Sequence, residues 1–282
     1  MSLEKLKEWV GRTQAMEDFA APFPVRALTA TLDGREPDPR PGDALPPLWH
    51  WLFFLPHAPQ GALGPDGHPS RGGFLPPVPL PRRLWAGGRL EWHAPLRVGE
   101  PVQRRSRVGA VTHKRGRSGD LIFVVVHHEV HGPAGLALTE EHDIVYRSPP
   151  LPGDPPPPPP PAEGGAPWQR AVLPDDVLLF RYSALTFNGH RIHYDRRYVT
   201  EVEGYPGLVV HGPLIATLLL DLLRRHLPRA RVRSFSFQAV RPAFDQRLLT
   251  LHGRPAPEGG SVALWASDPE GFETMRARAT LA

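Results

Sequence analysis

"GLVVHGPLIATLLLDLLRRHL", Gly207 to Leu227, sets the fold. Pro213 follows Gly212 directly. Proline suits the first turn of a helix, where its missing N–H has no partner to lose. Leu214, Ile215, Leu218, Leu219, Leu222 and Leu223 then cover most of a helical circumference. A helix apolar nearly all round is buried, not laid on a surface. Asp221, Arg224 and Arg225 are read as its wet side and its end.

Strand-like runs follow it: "RVRSFSFQAVRPAF", "RLLTLHGRPA", "SVALWASD" and "FETMRARATL". Several alternate apolar and polar residues, the period of a sheet with one face on a core. "PEGG" and "DPEG" are turn signals between them. The first half repeats this order. "ALPPLWHWLFFL", Ala44 to Leu55, reads as a buried helix. "RRLWAGGRLEWHAPL", "PVQRRSRVGAVTHK", "DLIFVVVHHEVHG" and "LTEEHDIVYRS" read as strands, with "KRGRSGD" a hairpin connection. The expected fold is α+β: two hot dogs in tandem, each an antiparallel sheet wrapped around a central helix.

Seven successive prolines, Pro155 to Pro161, separate the halves. They cannot join a helix or a central strand and should form a polyproline II spacer. The expected division is residues 1–147, a linker at 148–167, and residues 168–282, with the two halves packed as an intrachain pseudo-dimer or the whole chain as a homodimer.

The 282 residues suffice to bury one large core or two smaller ones, and 40% hydrophobic content suits a globular chain. The longest apolar runs are too short to span a bilayer. "MSLEKLKEWVGRT" lacks the apolar centre of a signal peptide. The chain has no cysteine, which excludes thiolate catalysis and Cys-based metal sites. A cytoplasmic protein that binds neither nucleic acid nor membrane is expected. The net charge of +4 is carried by arginine, lysine occurring only at Lys5, Lys7 and Lys114. No basic block interleaves with aromatics as nucleic-acid binding would ask.

One segment is chemically dense: "LTFNGHRIHYD", Leu185 to Asp195. The whole stretch "LTFNGHRIHYDRRYVTEVEGYPGLVVHGPLIATLLLDLL" resembles the MaoC-like hydratase/dehydratases. More closely, it resembles the hydroxyacyl-thioester dehydratase type 2 branch, which includes mesaconyl-CoA and itaconyl-CoA hydratases. The shared elements are "FN" before a histidine, "IHYD", an aromatic-Pro-Gly segment and "VHGPL". "WAGGRLEWHAPLRVGEPV" and "GRSGDLIFVVVHHEV" are similar to the N-terminal part of the same branch. The resemblance implies reversible hydration of enoyl thioesters carried on coenzyme A or acyl carrier protein, with no other cofactor, in fatty acid metabolism.

The family motif places an aspartate before "FN" and a histidine five residues after that aspartate. Here Thr186 occupies the aspartate position and two extra residues precede "IH". The histidine carries over to His193.

The reaction needs a base, an acid and donors for an enolate oxygen. Histidine is the natural first choice because it titrates near neutrality. His193 is the expected proton carrier and Asn188 the holder of the water. His190 is the first substitute for the aspartate, and Asp195 the second. "VHGPL" opens a helix, whose N-terminal N–H groups suit an oxyanion. By resemblance the Gly212 N–H faces the thioester oxygen, and His211 lines the pocket beside Thr186 and Asp195. Arg71 and His68, in the loop "GPDGHPSRGGFLPP", are placed to meet a polar acyl end, and Arg82 and Arg83 to meet coenzyme A phosphates.

His127, Glu129 and His131 share one face of a strand, a spacing that zinc can use, but the hydration chemistry needs no metal. Two other readings stand beside the hydratase. One is a thioesterase using Glu201 or Glu203. The other is a non-catalytic thioester-binding module, suggested by Thr186.

Overall fold

The computed structural model describes residues 3–116, 119–148 and 158–282. Its elements are α1 (Leu3–Lys7), β1 (Thr13–Phe19), α2 (Pro22–Thr31), β2 (Arg82–Trp92), β3 (Pro101–Gly116), β4 (Gly119–Gly132) and β5 (Gly135–Arg147), then β6 (Trp168–Val172), α3 (Asp176–Leu185), α4 (Arg196–Glu201), α5 (Gly212–His226), β7 (Val232–Ala239), β8 (Leu249–Pro255), β9 (Ser261–Ser267) and β10 (Glu273–Leu281). Short 3-10 turns lie at Trp49–Leu52 and Arg191–His193. Among the described residues, no helix is long and apolar enough to cross a membrane.

The strands form one antiparallel sheet in the order β1-β3-β4-β5-β2-β7-β10-β9-β8-β6. The two halves meet at β2 and β7, with Gly87 opposite Gln238 and Glu91 opposite Ser234. One sheet thus runs through both halves, the tandem hot-dog arrangement expected from the sequence.

In the second half the sheet wraps α5. Leu214, Ile215, Leu218, Leu219, Leu222 and Leu223 are all buried on it. Each such side chain contributes ~1.5–3 kcal/mol by burial, so α5 is the main apolar anchor of this half. Phe235 and Phe237 alternate inward from β7, and Leu249 and Leu251 from β8. The helix ends at His226 because Pro228 follows.

Asp221 differs from the sequence reading. It is buried, not wet, and accepts from Arg170 at 2.7 Å, Arg224 at 2.9 Å and Arg225 at 2.7 Å. Arg170 and Arg225 also donate to the Leu32 carbonyl at the end of α2, which ties the two halves together.

The first half also differs. Ala44–Leu55 forms no long helix, only the 3-10 turn Trp49–Leu52. Pro46 and Pro47 precede it, Leu48 takes a left-handed φ of 72° and Phe54 one of 57°, and Pro56 closes the segment. The prolines limit any helix, so the apolar residues are buried as expected, but from an irregular backbone. The helix α2 was not foreseen; it buries Val25 and Leu28 against α3 and the Trp49 turn.

With no long helix there, the inner face of the first half keeps a polar chain. Glu140 accepts from His50 Nε2 at 3.0 Å and Trp51 Nε1 at 2.8 Å, and it meets His142 Nε2 at 2.6 Å. His142 packs on His128, and His128 Nδ1 meets Ser106 Oγ at 2.7 Å. Burial alone would raise the Glu140 carboxyl, but His142 and His50 hold it well below the usual range.

Residues 149–157 of the linker, including the prolines up to Pro157, lie outside the described residues, as do positions 117 and 118 of the hairpin. From Pro160 onward the linker is not a free spacer. The Pro160 carbonyl accepts from Glu273 N, and Pro161 bridges Phe272.

Candidate active site

Helix α3 ends three residues before Asn188, and the way it ends builds the site. Thr186 is its C-cap, and Phe187 follows with φ 47°. Asn188 N–H donates to Ser183 O at 2.8 Å, and Phe187 N–H to Ala184 O at 3.3 Å. This is a Schellman closure with phenylalanine where glycine is usual. It turns Asn188 and the histidine segment across the start of α5. Asn188 Oδ1 then accepts from His190 N at 3.0 Å, which leaves its NH₂ available as a donor.

His193 sits in the 3-10 turn that follows, and it is buried. Its Nδ1 donates to the Val209 carbonyl at 2.7 Å. That bond selects the tautomer with a lone pair on Nε2. Burial pushes the imidazole down to about 4, against the opposing pull of Val209. His193 is therefore neutral at neutral pH and able to accept a proton.

His211 is the N-cap of α5 and is fully buried. Its ring stacks on His193 with centroids 3.7 Å apart, and its Nε2 shares a 2.8 Å hydrogen bond with Ser183 Oγ. Burial, and then His193 and His190, hold it well below the ordinary imidazole range. Gly212 opens the helix behind it, with the Trp85 carbonyl passing close by. The first N–H groups of α5 lack intrahelical partners, so this end is a donor site for an oxyanion.

The loop of the first half reaches the same place. Arg191 N–H donates to Asp66 O at 2.9 Å, and Arg191 Nη1 to Pro65 O at 2.9 Å. Gly67, with φ 86°, lies so close to Gly189 that a Cβ there would stand 1.9 Å from the Gly189 oxygen. This docking puts the His68 ring 4.0 Å from His190, whose ring is 5.4 Å from His193. His68 Nδ1 is held by Asp66 Oδ2 at 3.1 Å.

Asp66, His68 and His190 bring their donor atoms within 4.8 Å of one another. Asp66 and His68 already satisfy each other through Nδ1, which leaves that nitrogen no lone pair for a metal. Burial, with His68 and His193 adding to it, pushes His190 down to about 2.

The structure thus brings His193, His190 and His211 together, with Gly212 next to His211 and Asn188 holding the His190 N–H. It gives three predicted residues different work. The Thr186 hydroxyl donates to Tyr182 O at 2.8 Å within its own helix. Asp195 does not orient His193; it caps α4 through Tyr198 N and binds Arg191 at 2.8 Å. Arg71 is spent on the carbonyls of Val78, Leu80 and Pro81, anchoring its own loop.

Arg82 is engaged by the Glu203 carbonyl, and Glu201 pairs with Arg197. His127 pairs with Glu141 on the outer face of the sheet, and His128 faces inward. A concavity of about 860 Å³ on that outer face, lined by Arg105, His127 and Ser234, contains none of the site residues. Asp66 and Ser183 were missed in the sequence. The "DGH" spacing was the available signal for Asp66, and nothing in the sequence marked Ser183.

The model of the hydroxyacyl-thioester dehydratase type 2 family matches residues 48–245. The chain is 47% identical over 283 residues to mesaconyl-C(4)-CoA hydratase of Chloroflexus aurantiacus, covering 100% of this chain and 99% of the relative. It is 28% identical to the mitochondrial hydroxyacyl-thioester dehydratase type 2 of Schizosaccharomyces pombe, covering 84% of this chain and 88% of that one. Among solved structures, a MaoC-like dehydratase superposes with a TM-score of 0.70 at 15% identity, covering 99% of both chains. A Mycobacterium tuberculosis protein with a double hotdog fold gives 0.64 at 15% identity, covering 100% of this chain and 98% of that one. The two structural likenesses show the fold.

Proposed function

The chain belongs to the hydroxyacyl-thioester dehydratase type 2 family, and from that premise we propose its substrate and the residues that act on it. It is a hydro-lyase, adding water to, or removing it from, the double bond of an enoyl thioester carried on coenzyme A. We propose a short branched or dicarboxylic acyl group of the mesaconyl kind. Two observations support that choice. The relative at 47% identity is named for mesaconyl-C(4)-CoA. The inner face of the first half carries a buried polar cluster at Glu140, His128 and His142, with His142 packed 4.0 Å from the Trp85 ring, and the Trp85 carbonyl lies beside Gly212. A polar acyl end reaching that side could hydrogen-bond there, whereas a long alkyl chain could not.

The observation that carries the mechanism is the 2.7 Å bond from His193 Nδ1 to Val209 O. It presents a neutral Nε2 as the base that takes a proton from water. The Asn188 amide holds that water. The Gly212 N–H stabilises the charge that develops on the thioester oxygen, and one such donor lowers the barrier by roughly 3–4 kcal/mol. His211 fixes the distance between base and helix end. A second proton carrier comes from the histidines facing His193, His190 among them. In this reading residues 168–282 hold the base and the oxyanion site. Residues 1–147 supply the acyl-side wall and the Asp66–His68 loop, and 148–167 connect them. A cytoplasmic setting within fatty acid metabolism, with no cofactor beyond the substrate's carrier, belongs to the same proposal.

The test is mass spectrometry of purified protein incubated with mesaconyl-C(4)-CoA, itaconyl-CoA, crotonyl-CoA and longer enoyl-CoAs. The expected product gains one water, fastest from the dicarboxylic substrate, and its formation is lost in His193→Ala. Release of free coenzyme A would instead make the protein a thioesterase. Tight binding without turnover would make it a binding module.

A further inference from the structure

We infer that His68, oriented by Asp66, is the second proton carrier of the reaction, supplied by the first half to a site otherwise built by the second. The inference rests on the hydro-lyase reading and names the group that replaces the aspartate absent at Thr186.

The geometry singles out this pair. Near His193, the Thr186 hydroxyl is bonded within its own helix, and Asp195 is consumed by Arg191 and the cap of α4. Asp66 has both carboxylate oxygens on His68, Oδ1 accepting from its backbone N–H at 3.0 Å and Oδ2 meeting Nδ1 at 3.1 Å. A carboxylate on Nδ1 sets the tautomer and stabilises the imidazolium, which frees Nε2 to exchange a proton. The loop is held for this purpose by Gly64 N–H on His68 O at 2.7 Å, by the two Arg191 bonds to Asp66 O and Pro65 O, and by the contact of Gly67 with Gly189. His190, by contrast, has no carboxylate partner among the described residues. At about 2 it cannot hold a proton near neutrality.

In the hydration direction the step balances as follows. A water O–H bond breaks and its proton goes to His193 Nε2, while the water oxygen bonds to C3. The C2–C3 π pair moves toward the thioester, and charge collects on the carbonyl oxygen facing Gly212 N–H. His68 starts as the imidazolium paired with Asp66, gives its Nε2 proton to C2 and becomes neutral with Nδ1–H on Asp66, and the carbonyl re-forms. His193 then releases its proton to solvent and His68 takes one up from solvent, so both imidazoles return to their starting states. Dehydration is the reverse.

The groups facing His68 are Asp66, Arg71, Arg83, His190 and His193. Burial lowers the His68 imidazole, its hydrogen bond to Asp66 raises it, and Arg83 and Arg71 lower it. Removing the Asp66 charge must therefore make His68 a weaker base.

The test compares wild type with His68→Ala and Asp66→Asn in initial-rate kinetics across pH. Circular dichroism and acyl-CoA binding confirm that each variant is folded and able to bind substrate. His68→Ala is expected to lose ~100- to 10,000-fold in kcat with KM little changed, and to regain part of it with added imidazole. Asp66→Asn is expected to move the alkaline limb of kcat/KM to lower pH. Activity should survive chelation by EDTA.

Three outcomes overturn the inference: His68→Ala within a few-fold of wild-type kcat, an alkaline limb unmoved in Asp66→Asn, or activity lost to EDTA and restored by zinc. Wild-type protein that hydrates no enoyl-CoA overturns the hydro-lyase reading and this inference with it. The two failures are distinguishable, because the first three outcomes require an active wild type.

Discussion

His193 and His211 lie face to face, their ring centroids 3.7 Å apart and their planes 17° from parallel. One ring comes from the turn after α3, the other from the N-cap of α5. The stack therefore sets how far the base stands from the oxyanion donors. His211 is itself fixed by Ser183 at 2.8 Å. His211→Phe keeps the ring and removes that bond. A misplacement of about 1 Å costs up to ~100-fold in rate. His211→Phe should therefore lower kcat by ~10- to 100-fold, measured by initial rates on the best enoyl-CoA. Wild-type kcat in this variant would remove the stack from the mechanism.

Gly67→Ala tests how the first half reaches the site. The new Cβ would stand 1.9 Å from the Gly189 oxygen, and the φ of 86° disfavours any side chain. The left-handed backbone alone costs alanine roughly 1–2 kcal/mol, and relief of the clash requires the loop to lift. His68 moves with it. The expected result is a kcat at least ~10-fold down with Tm only a few degrees lower, read by kinetics beside thermal unfolding. A variant with unchanged kcat would mean that the docking of this loop does not matter to the chemistry.

Acid should unfold this protein by a route its buried histidines dictate. The folded state holds His193 at about 4 and His190 at about 2, against an ordinary 6.5. Below pH 6.5 the unfolded chain takes up protons that the folded chain refuses, so stability rises with pH across this range. It is complete above about 6.5 and is lost on acidification down to about 4 for His193, with His190 extending the loss further. At ~1.4 kcal/mol per unit, His193 alone accounts for roughly 3 kcal/mol. Glu140 acts with the same sign, since its lowered carboxyl stabilises the fold above its unfolded value and that contribution is lost as pH falls. Urea unfolding at several pH values is the measurement. A free energy flat between pH 7 and 4.5 would contradict the burial of these groups.

The second half was legible because its signals are local and periodic. Pro213 and the leucines of α5 announce a buried helix, and the alternation around Phe235 and Phe237 announces a strand. The first half was misread where apolar content stood in for helicity. "LWHWLFFL" is buried, but Pro46, Pro47 and Pro56 already spoke against a long helix there. Asp221 reads as solvated in the sequence because its partner Arg170 lies far away in the chain. His68 stands out from its loop in the sequence, but its place beside His193 is not legible there for the same reason. Only the docking of its loop on Gly189 and Arg191 brings it to His193, and no spacing within either half encodes that contact.

Glu140→Gln addresses the polar chain inside the first half. The carboxylate accepts from His50 and Trp51 and pairs with His142. A glutamine offers one acceptor oxygen and turns an NH₂ toward the remaining donors. Breaking a buried ionic group from one side costs about 3–5 kcal/mol. Glu140→Gln should therefore destabilise by roughly 3 kcal/mol in urea unfolding, while the surface change Glu91→Gln stays within about 0.5 kcal/mol. Equal effects for the two would mean that Glu140 is not the centre of this chain.

Phe187→Gly should do the opposite and stabilise the protein. Phe187 closes α3 at the position where a left-handed residue is required, with φ 47°, and its side chain is 60% exposed. The cap geometry is complete: Asn188 N–H reaches Ser183 O and Phe187 N–H reaches Ala184 O. Only the Cβ strains against the backbone, a cost of roughly 1–2 kcal/mol that glycine avoids. Glycine gives part of this back through the greater freedom of the unfolded chain. Little burial is lost, so the net gain should be about 1 kcal/mol, or about 2–4 °C in Tm. Differential scanning calorimetry of wild type and variant measures it directly. A lower Tm in the variant would mean that the phenyl ring holds the loop by contacts that outweigh the strain. In that case Phe187, and not the backbone closure of α3, would be what aims Asn188 at the site.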